Sequence, residues 1–223
     1  MKFATSLTVL LVVLSVLGQA HASILIDFDD VDASGGAIIG TALADYLGAY
    51  GVTISNATSN VQPMIVDDRD SSISNMVHAT SDYNIFWNSL SDNDPYSYSL
   101  NFDTPLKSFA FTRPELFGAT SSGLIVSPWQ ADAYNSAGSI VDTVSEGQLN
   151  IYGQGSTSPA TTFTLTGAEI MKITVHRDSV NTDVGCNTVG VDNVTVEPVP
   201  EPSALILLGM GVALLFFYKR HPR

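Results

Sequence analysis

One cysteine, Cys186, stands among 223 residues. A lone thiol closes no internal disulfide and supplies no Cys-type zinc site. Basic residues are also scarce, with nine Lys and Arg against 22 Asp and Glu. Four of the nine (Lys2, Lys219, Arg220, Arg223) lie at the chain ends, and residues 23–198 hold five against 21 acids, a net charge of −16. Without a cluster of cations to displace counterions, this composition argues against a nucleic-acid or anionic-lipid partner. Catalytic patterns are missing too. Neither His78 nor His176 has a second histidine at metal-binding spacing, and no Gly-x-Ser-x-Gly elbow is present. A pair of carboxylates for glycoside cleavage has no spacing of its own, and 21 acids offer too many pairs to single one out.

Long apolar runs occur only at the two ends. The first follows Lys2, spans residues 7–17 and gives way to Ala20-His21-Ala22. A charge, a short apolar core and an Ala-x-Ala site are the parts of a secretory signal, so residues 1–22 are expected to be cleaved by signal peptidase after Ala22. At the other end, Pro200-Glu201-Pro202 precedes 16 uncharged residues, 203–218, and then Lys219, Arg220 and Arg223. Sixteen helical residues rise about 24 Å, near the lower limit for a span, and flanking Lys and Arg extend the reach by snorkelling. The basic tail would stay cytoplasmic. Proline on both sides of Glu201 holds it in extended backbone beside the membrane, in reach of a protease.

This three-part end, residues 199–223, resembles the PEP-CTERM sorting signal of Gram-negative bacteria, with motif, helix and basic cluster in the same order and spacing. The resemblance implies that an exosortase, a membrane-embedded transpeptidase-like enzyme, cuts near Pro-Glu-Pro. It also implies a protein exported through the inner membrane, anchored there transiently, then released or attached at the cell surface or in an extracellular matrix. Species that carry the signal make extracellular polysaccharide.

Between the ends, residues 23–198 show neither a repeat nor a low-complexity linker, and read as one domain. Ser and Thr make up 39 of these 176 residues while lysine occurs twice, a balance that favours strands. Strands are expected over 24–28, 52–55, 61–66, 96–102, 107–112, 124–134, 139–143, 149–152, 161–165, 171–176 and 190–196. Period two is clear in Tyr96, Tyr98, Leu100 and Phe102, which share a face opposite Ser97, Ser99 and Asn101. Turns are expected at Asn135-Ser136-Ala137-Gly138 and Ser145-Glu146-Gly147, and one alanine-rich helix over 41–47, ended by Gly48. The fold predicted is all-β: an antiparallel two-sheet β-sandwich with one short helix, between a signal peptide and a transmembrane helix.

Ile26-Asp27-Phe28-Asp29-Asp30 with Gly51-Val52-Thr53-Ile54, the hairpin Ala133-Tyr134-Asn135-Ser136-Ala137-Gly138, and Val191-Asp192-Asn193-Val194-Thr195-Val196 resemble the jelly-roll domains of exported PEP-CTERM proteins. The resemblance implies a lectin-like sandwich whose first and last strands lie side by side. That would bring Asp27, Asp29 and Asp30 near Asp192 and Asn193, oxygen donors suited to calcium, although no EF-hand spacing accompanies them. The alternative is that these aspartates are the solvated face of edge strands.

A sugar ring stacks on an exposed aromatic, and the candidates are Tyr83, Phe86 and Trp87 in a loop over 81–90, with Trp129 after Pro128. His176 reads as a polar residue at a strand end. The leading expectation is a non-enzymatic adhesion or carbohydrate-binding module associated with exopolysaccharide. A polysaccharide-active enzyme and an inert coat protein stay open as rivals.

Overall fold

The computed structural model describes residues 23–56, 63–67, 77–78, 84–88, 96–118, 124–153, 155–177 and 190–199. The expected signal peptide, Tyr83, Cys186, Pro200, Glu201, Pro202, the apolar segment 203–218 and the tail Lys219, Arg220 and Arg223 lie outside them. No helix among the described residues is long and apolar enough to cross a membrane. Residues Ser23–Glu197 form one compact unit.

The chain enters through β1 (Ile24–Ile26), forms the helix α1 (Gly40–Gly48) and continues into β2 (Val52–Asn56), β3 (Pro63–Asp67), β4 (Val77–His78) and β5 (Asn84–Asn88). It goes on through β6 (Tyr96–Arg113), β7 (Glu115–Phe117), β8 (Leu124–Val126), β9 (Trp129–Asn135) and β10 (Ile140–Glu146). Then come β11 (Leu149–Ile151), β12 (Thr157–Ser158), β13 (Thr161–Arg177) and β14 (Asp192–Pro198). A seven-stranded sheet runs β1-β14-β6-β13-β9-β10, with β2 also on β6, and three small sheets complete the described set. The fold is an antiparallel β-sandwich with one short helix.

Two expected pairs of strands are each one strand. Residues 96–102 and 107–112 join in β6, and 161–165 and 171–176 join in β13. The sequence shows a break because the pairing of β6 with β13 shifts register near the middle of both strands. There Asn101 pairs with Lys172 and Leu106 with Ile170, so residues 102–105 lie opposite Met171 alone. Pro105 has no N–H to give to a ladder, and the irregularity accommodates it. Tyr98, Leu100, Phe102 and Leu106 are buried on one side of a second register shift, which lies between Thr166 and Ile170 of β13, and Phe109 and Phe111 are buried on the other. An odd offset switches the face that a strand buries.

The strands also fold back there. Phe163 and His176 are 13 positions apart on β13, about 40 Å on a straight strand. Yet the Phe163 ring lies 4.8 Å from that of Trp129, whose neighbour Gln130 pairs with His176. The two halves of one sheet therefore close over a common core, with strands turning the corner at bulges. Phe102, Phe109, Phe111, Phe163 and Trp129 form an aromatic chain through it, with ring centroids 4.8 to 5.9 Å apart. Helix α1 buries Leu43 and Leu47, one turn apart, against this core.

Gly138 has φ of 76°, as the Asn135–Gly138 turn requires. The expected turn at Ser145-Glu146-Gly147 is corrected, since Ser145 and Glu146 belong to β10 and Gly147 has no positive φ. Trp87 lies in the strand β5, opposite Met64, where a loop was expected. The short strands β4, β7 and β12 carry no alternation long enough to read.

Candidate functional site

Strand β1 pairs antiparallel with β14, Ile24 opposite Val196 and Ile26 opposite Val194. The first and last strands are thus side by side, as the resemblance implied. The acidic residues beyond Ile26 are engaged locally. The Asp27 carboxylate accepts the Asp29 N–H at 3.3 Å, Asp192 accepts the Asn193 N–H at 2.7 Å, and Asp30 accepts the Tyr50 hydroxyl at 3.4 Å. Phe28 and Asn193 have φ of 66° and 47°, the left-handed region that non-glycine residues seldom adopt. Among the described residues no three His, Cys, Asp or Glu side chains gather as a metal site would need. The strand pairing expected for calcium is there, and a cage of three acidic side chains is not. One oxygen, Oδ1 of Asp29, is buried without a hydrogen-bond partner.

Trp129 is corrected from a stacking surface to a core residue. It is 3 % exposed, the Phe163 ring meets it at a steep angle and the Phe111 ring sits 5.6 Å away. Its Nε1 donates to Glu146 at 3.1 Å. A tryptophan so enclosed has no free face to offer a pyranose.

The same tryptophan nevertheless floors an open cleft of about 300 Å³, lined by Pro128, Trp129, Gln130, Ser145, Glu146, Gly147, His176 and Arg177. The location follows from topology. β9 begins at Trp129, β10 ends at Glu146 and β13 ends at Arg177, so three neighbouring strands terminate together at the rim of the sandwich. Period two turns Trp129 and Arg177 inward, whereas Gln130, Ser145 and His176 fall on the outer face. Inward and outward sets meet only at the rim.

Buried bonds fix the cleft from behind. The guanidinium of Arg113, 2 % exposed, lies 2.9 Å from the Glu146 carboxylate. Its remaining donors reach the carbonyls of Pro114 and Pro159 at 2.7 and 2.9 Å, and the hydroxyls of Ser158 and Thr161 at 3.3 and 3.0 Å. On the outer face, Asp132 accepts Thr143 Oγ1 at 2.7 Å and Gln130 Nε2 at 2.9 Å, and lies 2.9 Å from His176 Nε2. Burial opposes ionisation of Asp132, but the bonds from Thr143, Gln130 and His176 outweigh it and hold the carboxyl below its usual range. The outer face continues as a polar ladder, with Ser99 bonded to Thr174 at 2.9 Å and Lys172 Nζ 4.0 Å from the centre of the Tyr134 ring.

A pH dependence follows. A depressed folded-state pKa contributes stability above the unfolded value, about 3.9, and loses it as pH falls through the folded value. Asp132→Ala is expected to cost about 2 kcal/mol at pH 7, and the difference from the unsubstituted protein should shrink below about pH 4. Urea melts across that range measure it, and a constant difference would assign the cost to packing.

Sequence reasoning had not selected Arg113, Glu146, Gln130, Asp132 or Ser145. The alternation of Trp129, Ala131 and Ala133 against Gln130, Asp132 and Tyr134 was readable. The partners were not, since Asp132 meets His176 across 44 positions and Arg113 meets Glu146 across 33.

Comparison with known proteins adds to this geometry. Residues 198–220 match the PEP-CTERM protein-sorting motif. No curated protein matches the chain by sequence. Among solved structures it is similar to an arabinose-bound α-L-arabinofuranosidase, with TM-score 0.44 and 14 % identity over 81 % of this chain and 27 % of that one. It is also similar to the K2 cleaved adhesin domain of Lys-gingipain, with TM-score 0.48 and 12 % identity over 78 % of this chain and 99 % of that domain. A family 32 carbohydrate-binding module from C. perfringens NanJ, in complex with galactose, gives TM-score 0.30 and 14 % identity over 66 % and 93 %. The chain spans about a quarter of the arabinofuranosidase, and at these identities no activity transfers from any of the three. What the chain itself carries is a β-sandwich domain followed, at residues 198–220, by a PEP-CTERM protein-sorting motif of the kind that marks an exported protein for exosortase processing.

Proposed function

We propose that the domain is a non-catalytic adhesion module that binds carbohydrate at the rim cleft, on a protein delivered by an exosortase to the cell surface or its exopolysaccharide matrix. The observation that carries the reading is the cleft: Gln130, Ser145 and His176 offer polar groups beside an apolar floor, and such a mixture suits a hydroxylated ring. The strands and the bonds behind them hold these groups in place, which reduces the ordering cost of binding.

A glycosidase reading is less well supported. Hydrolysis needs a neutral carboxyl with a raised pKa as general acid, opposite a second carboxylate. Asp132 is held ionised, and Glu146 is occupied by Arg113 and Trp129.

The test is retention on immobilised exopolysaccharide from the cells that make the protein. The full chain in detergent should be retained, and Ser145→Trp, which fills the cleft from an exposed rim position, should be retained at least about tenfold less. Equal retention would take the cleft out of the reading. Delivery is tested separately. Replacing Glu201 by alanine should leave the chain membrane-bound at full length, whereas normal shortening would mean that the motif is not what the protease reads.

Calcium enters as a stabilising ligand at the β1–β14 corner, supported by the buried Oδ1 of Asp29 and the fully buried Asp192. At 100 times its Kd, calcium should add about 2.7 kcal/mol of stability, and Asp29→Asn should abolish that gain. An unchanged melting temperature would remove calcium from the proposal.

A further inference from the structure

Two of the strands that meet at the rim continue past it as one ribbon. β8 runs into β9 and β10 into β11, with Trp129 opposite Glu146 and Val126 opposite Leu149. These two pairs are three residues apart on both strands, so the register is kept through Ser127-Pro128 and Gly147-Gln148. The buried face is not kept. Trp129, Ala131 and Ala133 are buried on one side of the interruption, and Val126 and Ile151 on the other. An odd offset separates Val126 from Trp129, which places them on opposite faces of the ribbon. The face that is inward at Trp129 is therefore outward along β11, and the cleft lies where that face comes to the surface.

On the outward face of β11, at period two, stand Gln148, Asn150 and Tyr152, all exposed. Gln148 Nε2 donates to Asn150 Oδ1 at 2.8 Å, which joins the two carboxamides in one polar strip. Tyr152 is 63 % exposed, the most exposed of the large apolar side chains described and the one aromatic among them. A single exposed ring is ordinary. This one stands on backbone that is held from beneath. The Ser156 hydroxyl donates to the Tyr152 carbonyl, the Ser156 N–H to the Gly153 carbonyl at 3.1 Å, and the Gly118 N–H to the Ser156 carbonyl at 2.9 Å. A Cβ at Gly118 would lie 2.7 Å from the Gly153 carbonyl oxygen, so only glycine lets the chain after β7 support this turn.

A tyrosine on fixed backbone offers a large contact surface with little rotamer freedom to lose. Its ring suits the apolar face of a pyranose, and the neighbouring carboxamides suit hydroxyls. From Gly147 at the cleft to Tyr152 is about 17 Å of extended chain, longer than one sugar ring.

We infer that the ligand of the rim cleft is a linear glycan read along its length, which passes from the cleft over Gln148 and Asn150 and stacks a distal ring on Tyr152. The inference rests on the reading of the cleft as a glycan site. It names the ligand as an internal stretch of polysaccharide and not a single terminal sugar.

The experiment uses the full-length protein in detergent and oligosaccharides released by partial hydrolysis of the same cells' exopolysaccharide, separated by length. In calorimetry the affinity should rise with length by at least about tenfold before it levels off. Tyr152→Ala trims an exposed ring that lies outside the core. It should weaken the long fractions at least about fivefold and the shortest fraction that binds less than about twofold. Tyr152→Phe keeps the stacking face and should restore binding of the long fractions. Affinity independent of length, long fractions untouched by Tyr152→Ala, or a loss in Tyr152→Phe as large as in Tyr152→Ala would each overturn the extended site and leave the cleft reading standing. Binding of no fraction by the unsubstituted protein would overturn both.

Discussion

Replacing Arg113 with alanine is expected to destabilise the domain by about 3–5 kcal/mol, a fall in Tm on the order of 10 °C. The guanidinium is buried and every arm has an acceptor: Glu146 at Nε, Pro114 at Nη1, and Ser158, Pro159 and Thr161 at Nη2. One side chain thus ties the end of β6 to the end of β10 and to the turn between β12 and β13. Its removal leaves the Glu146 carboxylate, itself 13 % exposed, without its cation. An orphaned buried charge costs far more than the pair contributes. The double substitution Arg113→Met with Glu146→Gln should therefore recover much of the loss, because the uncompensated charge goes with its partner. Urea melts of the unsubstituted protein, Arg113→Met, Glu146→Gln and the double variant test this as a cycle. If the double variant loses as much as both singles combined, the fold depends on the ion pair itself and not on neutrality.

Phe111→Ala should cost a similar amount, about 3–5 kcal/mol. Phe111 is 1 % exposed and contacts Phe109, Trp129 and Phe163, with centroids 5.9, 5.6 and 5.6 Å away. These rings come from both halves of the folded sheet, so the cavity opens where the layers meet. Trp129 reports the change directly. Its emission should shift to the red in the variant, since water reaches a ring now enclosed by Phe111 and Phe163. A loss below about 1 kcal/mol with unchanged emission would mean that the layers close up over the gap.

Alternation made most of the strands readable, because a sandwich buries one face of each strand. The same local rule could not join 96–102 to 107–112, since the register change at Pro105 interrupts the pattern while the backbone ladder continues. The same rule put Trp129 in a strand, within 124–134, but did not say which face of that strand is interior: Ala131 and Ala133, on the tryptophan's face, are fully buried. The cleft itself escaped sequence reasoning because its parts come from three strands whose ends meet only after the sheet has folded over. Terminal motifs, by contrast, act as linear peptides and need no fold to be recognised.

The order β1-β14-β6 has a mechanical consequence. Whatever holds the protein at residue 199 pulls on β14, and β14 is an interior strand, flanked by β1 on one side and β6 on the other. An edge strand can be peeled away one hydrogen bond at a time. A strand held on both sides and drawn along its own axis loads two ladders in shear, where the bonds share the force and must fail together. The three residues of β1 thus spare β14 from being an edge, and a pull applied at residue 199 meets resistance from a strand too short to add much to the core.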